Sequence, residues 1–232
     1  MKAEELALVR GIADTKLTLR AWQRRPMHVL RPWALGSLVV AIGLLVATGI
    51  IALYTRPDES WMSVAGITRP ATFDDYLMVL FRNSLVLALH ALACVAGFIA
   101  GSSLPVAARD KRGLWRKVHD RAGPLAIGFV VCATVFSLAT QAFALGAGAS
   151  TLASQLQMTP PALLLVLSLH AVPELVALFL PLAAWTVASR QGRWHELLAA
   201  TFVTVAIAVP ILLAAAAVEI WVTPEILFDI RK

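Results

Sequence analysis

Five apolar stretches, each long enough to cross a bilayer, constrain what this chain can fold into. They run over residues 34–54, 77–106, 124–147, 161–188 and 197–222. A spanning helix needs about 20 mostly apolar residues. Inside hydrocarbon there is no water to satisfy backbone N–H and C=O groups, so a spanning segment must be a helix or part of a closed barrel. Runs of this length are helical. Composition agrees: 59% of the 232 residues are hydrophobic and 15% are charged, against roughly 45–50% and about 25% in soluble domains. The predicted fold is all-α, a polytopic membrane helix bundle. Residues 1–33 form a basic N-terminal segment and residues 34–232 a five-span membrane domain.

The first apolar run follows 33 residues and continues past its small-residue triplet Ala47–Gly49, unlike a cleaved signal. It reads as a retained span. Lysine and arginine alternate across the loops. Lys2, Arg10, Lys16, Arg20, Arg24, Arg25 and Arg31 precede span one. Arg109, Lys111, Arg112, Arg116, Lys117 and Arg121 separate spans two and three, and Arg190 and Arg193 separate spans four and five. In the 55–76 loop, Arg56 and Arg69 are offset by Asp58, Glu59, Asp74 and Asp75. The 148–160 loop carries no charge. Cytoplasmic loops hold the excess of basic residues, which predicts a multi-pass cell (cytoplasmic or inner) membrane protein with its N-terminus inside and its C-terminus outside. Arg231 and Lys232 break the pattern mildly. The net charge of +6 is thereby explained by topology, without nucleic acid.

Within the N-terminal segment, Leu8, Ile12, Leu19 and Trp22 recur near helical spacing, with Arg10, Arg20 and Arg24 off that stripe. This predicts a basic amphipathic helix at the cytoplasmic surface, serving as a topogenic anchor or in partner binding. The 55–76 loop holds Trp61, Met62, Val64 and Ile67 and is too apolar for a free linker; the outer interface is its expected place. Cys94 and Cys132 fall inside spans as packing residues. Gly97 and Gly101 form a GxxxG, Gly36, Gly43 and Gly49 line span one, and Ala214–Ala217 give span five a small surface; such faces allow close helix approach. No GxxxxGK[ST] occurs, so the chain has no phosphate-binding loop of that kind.

Ionisable groups in hydrocarbon are costly and mark sites. His170 and Glu174, in LSLHAVPELVAL, are four residues apart and share a helix face about 6 Å apart along the axis. Pro173 between them removes a backbone hydrogen bond. Counting rise from each span's outer end puts Glu219 about 5 Å deep, Asn83 and Gln141 about 9 Å, His170 about 14 Å, and His90 and Glu174 about 20 Å. Apart from Arg82, the strongly polar residues of the spans thus lie between the outer surface and the midplane. The predicted site is an outer-leaflet pocket of Asn83, His90, Gln141, His170, Glu174 and Glu219. His90, His170 and Glu174 are the candidate ligands for a divalent metal, since zinc accepts imidazole and carboxylate. Plainer roles exist: a helix cross-link for His90, Asn83 and Gln141, and snorkelling for Glu219.

Three segments in order carry a family resemblance: FRNSLVLALHALACVAGFIAG (Asn83 to Gly101), LHAVPELVALFLPLAAW with its His-x-x-x-Glu-Leu, and VEIWVTPEI (Glu219 to Pro224). The chain resembles the stage II sporulation protein M family of bacterial and archaeal membrane proteins, over roughly residues 77–226. It departs from the family's usual His-Gly at His170-Ala171, and in having Pro173 before the glutamate. The resemblance implies a subunit of an envelope-associated assembly. It also implies partners such as RDD-type membrane proteins, MoxR-type AAA ATPases and von Willebrand-type domain proteins.

Three functions follow as expectations. The first is a scaffold or partner-binding subunit, in contact with membrane lipids and other membrane proteins and able to form homo-oligomers. The second is an intramembrane enzyme, metal-dependent, acting on a lipid or lipid-linked substrate, although no nucleophile motif is present. The third is a transporter component with Glu174 and His170 relaying protons; the apolar inner half of the spans offers it no continuous polar path. The orientation is checked with reporter fusions. A fusion after Arg112 is expected to report the cytoplasm and one after Gly148 the outside; the reverse pair of signals would discard the topology.

Overall fold

The computed structural model describes residues 7–60, 62–103, 113 and 122–230. Lys2, Trp61, the basic 104–112 and 114–121 stretches and Arg231–Lys232 lie outside the described residues. The described chain is helical, with a single isolated bridge between Ala65 and Arg69. Helix α1 is Ala7–Gln23, α2 Pro26–Tyr54 and α3 Phe73–Phe98, the last continued by a π-helical turn Ile99–Ser103. Helix α4 is Ala122–Gln155 and α5 Pro160–Arg190. A 3-10 turn Trp194–Glu196 then leads into α6, Leu197–Ala217, which passes through a second π-helical turn, Val218–Val222, into α7, Thr223–Ile230. Five of these stretches are long and apolar enough to cross a membrane: Pro26–Tyr54, Phe73–Gly101, Ile127–Gln155, Pro160–Arg190 and Trp194–Ile230. This is a multi-pass membrane protein. Leu35, Val39, Ile42, Val46, Ile50 and Leu53 stand exposed along α2, as side chains solvated by lipid do.

The helix ends follow local chemistry. Pro26 and Pro160 take first helical positions, where a missing N–H costs nothing. Thr72 caps α3: its N–H donates to Asp75 Oδ2 at 2.9 Å, while the Asp75 N–H reaches back to Thr72 Oγ1 at 3.4 Å, a reciprocal capping box. Gly192, with φ +68°, ends α5 as the Arg193 N–H returns to the Ala188 carbonyl at 2.9 Å.

Several spans run further than the apolar stretches predict. Span one begins at Pro26 rather than residue 34, so its first turns belong to the stretch expected as N-terminal segment. Trp33 explains this, being 3% exposed within a cluster with Leu180, Ala184 and Ala200. The last span continues through Thr223-Pro224 to Ile230 instead of ending at residue 222. Pro224 falls just after the π-helical turn, where the ladder is already interrupted.

The helices divide into two compact units. The first comprises Met1–Ser37, Val86–Thr134 and Leu178–Ala208. There α1 docks through Gly11: an added Cβ would lie 2.6 Å from Leu198 Cδ1 and 2.9 Å from Phe98 Cζ. Thr18 is buried, and Trp22 meets Trp33 edge-on with ring centroids 5.2 Å apart. Ile12, expected on the apolar stripe, is 53% exposed. Gly11 and Trp22 make the contacts of the docked face, and Ile12 does not. The GxxxG of span two does serve close approach, with Gly97 against Trp185 and Gly101 against Trp194. Cys94 is buried with Phe98, Trp185, Ala188 and Leu197.

The second unit comprises Leu38–Leu85, Val135–Ala177 and Val209–Lys232. Here the 55–72 loop is packed rather than free. Met62, Val64 and Ile67 pack on Leu152, Ala153, Leu156, Leu163 and Leu227. Ser150 Oγ donates to the Thr55 carbonyl at 2.7 Å, the Asp58 N–H to Thr151 Oγ1 at 3.1 Å, and Gln155 Nε2 to the Ser60 carbonyl at 3.0 Å. The Ser60 N–H donates to Asp58 Oδ1 at 2.9 Å and holds that carboxyl below its usual range. Arg69 pairs with Asp75 across the start of α3. At the loop's apex Gly66 has φ +76°, and a Cβ there would lie 2.5 Å from Pro224 Cγ and 2.8 Å from the Ile220 carbonyl oxygen. The loop therefore rests on the second π-turn and the start of α7.

Gly146 and Gly43 make a test of packing in this unit. A Cβ at Gly146 would meet Ile51 Cβ at 2.7 Å and the Thr48 carbonyl oxygen at 3.0 Å; at Gly43 nothing lies within 4 Å. Gly146→Ala is expected to cost about 1–3 kcal/mol through overpacking. Gly43→Ala should be neutral or stabilise by up to about 1 kcal/mol, since alanine is the better helix former. Thermal unfolding in detergent measures both, and equal midpoints for the two variants would contradict the packing described.

Candidate functional site

Three ionisable side chains of the second unit meet at one place. One ring nitrogen of His170 and one carboxylate oxygen each of Glu174 and Glu219 all lie within 4.8 Å of one another. His170 is buried and the two glutamates are half-buried. Helix α5 presents His170 and Glu174 one turn apart, as their spacing requires. Glu219 comes from the π-turn before α7. Such turns widen the helix by one residue, shift the side-chain register and recur at functional sites.

Two neighbours complete the cluster. His170 Nδ1 is hydrogen-bonded to Thr223 Oγ1 at 2.9 Å, which ties α5 to α7 and fixes the ring. Asn83, from α3, directs its side chain at the Glu174 carboxyl in a long hydrogen-bonding contact. It is 8% exposed, and its amide Nδ2 is buried. Arg82, on the exposed side of α3, is the cation whose field reaches Glu219.

Of the six residues predicted to line the pocket, four meet here: Asn83, His170, Glu174 and Glu219. The predicted metal triad is altered in membership, with Glu219 standing where His90 was expected. His90 belongs to the first unit. Its Nδ1 bonds the Leu178 carbonyl at 2.8 Å and its ring lies 5.6 Å from that of Phe179. His90 thus has the helix cross-linking role. Gln141 spends its amide on its own helix, donating from Nε2 to Ser137 Oγ at 2.9 Å.

The last helix runs past the predicted end of span five, from which the depth of Glu219 was counted. Glu219 lies eleven residues before Ile230, about 16 Å along the axis from the helix end, comparable with His170, ten residues into α5. Thr223 was not among the predicted site residues. The signal for it was present: it follows Glu219 by four residues, hence on the same helix face.

Chemically, the cluster offers one imidazole, two carboxylates, an amide and a hydroxyl. Such groups can hold a cation or bind a polar head group. Thr223 is the hydroxyl that hydrogen-bonds His170, through Nδ1 at 2.9 Å. No family model matches the chain, and no curated protein or solved structure matches it.

The Thr223–His170 bond is open to direct test. Thr223→Val keeps the shape and removes the partner of Nδ1. The expected loss is about 0.6–1.7 kcal/mol, the range for a hydrogen bond within a membrane bundle, while Thr223→Ser should retain most of it. Unfolding of the two variants side by side checks this; a valine variant as stable as wild type would show the bond to be idle.

Proposed function

We propose that this chain is a membrane-embedded subunit of an envelope-associated assembly, a scaffold or partner-binding component whose working centre is the His170–Glu174–Glu219 cluster with Asn83. One observation carries the reading. Ionisable groups from two spans, with a buried amide from a third, converge in an otherwise apolar bundle, although apolar replacements would cost far less in lipid. Structural glue does not need two carboxylates at one point. The resemblance to the stage II sporulation protein M family supports the envelope setting and partners of the RDD and MoxR types. The alternation of basic loops supports a cytoplasmic N-terminus, an external C-terminus and residence in the cell membrane.

The donor set favours a second reading, an intramembrane metal-dependent enzyme acting on a lipid or lipid-linked substrate. In that reading Glu174 or Glu219 would take up the proton of an attacking water. A transporter role has less support, since the polar side chains gather at one place rather than along a path.

Glu174→Gln tests the working centre. Gln keeps the size of the side chain and its ability to hydrogen-bond, but loses the charge. The variant is expected to insert and to unfold within about 1 kcal/mol of wild type, yet to fail to restore function in cells lacking the chain. A folded and fully functional Glu174→Gln protein would remove the cluster from the function and leave the scaffold role alone.

A further inference from the structure

We propose that His170, Glu174 and Glu219 bind one divalent transition-metal ion of the zinc type, with Asn83 completing or supporting the shell; this rests on the reading of the cluster as the working centre. Distance is the first argument. Zinc takes imidazole nitrogen at about 2.0–2.1 Å and carboxylate oxygen at about 2.0–2.2 Å. Ligand atoms around such an ion therefore stand roughly 3.3–4.2 Å apart. The three groups here lie within 4.8 Å, so side-chain adjustments of under about 1 Å, small against ordinary rotamer freedom, close the shell.

Charge is the second argument. Two carboxylates at this separation in a half-buried site repel each other and lose hydration. A divalent cation with two carboxylates and a neutral imidazole sums to zero, the state an apolar surround tolerates best. Arg82 is not an equivalent counter-ion. It is exposed, and no ion pair within 4.0 Å joins it to either glutamate among the described residues.

The surrounding groups are the third argument. Metal-ligating histidines usually spend their other ring nitrogen on a fixed partner, which sets the tautomer. Thr223 holds Nδ1 at 2.9 Å, leaving Nε2 as the nitrogen for a ligand. Asn83 supplies independent testimony. Its side chain is 8% exposed and is directed at the Glu174 carboxyl from a third helix, so it stands where a ligand or a supporting hydrogen bond to the ion is needed. Oxygen and nitrogen of an amide exchange by a simple flip, so Asn83 can present Oδ1 to the ion, or donate from Nδ2 to a water bound on it. Three protein ligands with an open fourth position are what zinc sites keep when they also bind a further ligand.

The test uses the full-length chain in detergent, freed of any affinity tag, stripped with a chelator and titrated with Zn2+ or Co2+. Wild type is expected to bind one ion per chain, to develop the visible absorption of Co2+ in a low-symmetry site, and to gain thermal stability with added Zn2+. Glu174→Gln, Glu219→Gln and His170→Ala should each lose binding by at least about 100-fold, and Thr223→Val and Asn83→Ala should weaken it about 10–100-fold. His90→Ala should bind as wild type. Circular dichroism and gel filtration show which variants are folded, and Glu219→Asp, a retained ligand at shorter reach, covers the case in which Glu219→Gln fails to fold. A wild-type chain that takes up neither ion, or binding that survives in folded His170→Ala and Glu219→Gln, overturns the proposal. The two levels separate cleanly. If no metal binds and Glu174→Gln still abolishes function, the metal is wrong and the working centre stands. If Glu174→Gln loses the metal and keeps function, the site is a metal site and the working centre falls.

Discussion

Everything in this chain answers to the absence of water around its spans. A backbone group without a partner there costs several kcal/mol, so the main chain closes on itself as helix and has little left to spend on specificity. Side chains must then decide how the helices meet. Small residues do so by proximity, as where Gly97 admits Trp185 and Gly146 admits Ile51. Polar residues do so by necessity. His90 finds the Leu178 carbonyl, Cys94 the Pro181 carbonyl at 3.2 Å, and His170 the Thr223 hydroxyl. Each of these bonds is a contact between segments far apart in sequence.

Spans and their number were legible because hydropathy over twenty residues is a sum, insensitive to any one side chain. Span ends were not, since they depend on single residues. Pro26 and Trp33 drew α2 towards the N-terminus, and Thr223-Pro224 let the last span run on to Ile230. That second shift mattered most, because depth counted from residue 222 separated Glu219 from Glu174 by several turns. The His170–Glu174 pair was legible from spacing within one helix. Its partnership with Glu219, and the departure of His90 to Leu178, depend on which faces of different helices meet. No local pattern encodes that. The family resemblance placed Glu219 and Thr-Pro in one segment, but a shared segment does not specify a shared site.

A cluster of two carboxylates and an imidazole has no place in a bundle whose only task is to stay in the bilayer. Replacing it with leucines would raise stability, as apolar replacements of buried ionic groups often do. The chain keeps it, adds Asn83 from a third helix, and anchors the ring through Thr223. The π-turn at Val218–Val222 widens the helix at the point where Glu219 leaves it.

Gly66 gives that turn a mechanical boundary. With no side chain, the loop apex comes to rest against the carbonyl of Ile220, the residue next to Glu219, and against Pro224, the residue next to Thr223. The loop itself is stitched to α4 by Ser150, Thr151 and Gln155 and to α3 by the Arg69–Asp75 pair. Whatever grips or displaces that loop therefore presses on the backbone between one carboxylate and the hydroxyl that steadies the imidazole. The loop is thus anchored on α4, and its tip rests on the backbone that joins two members of the cluster.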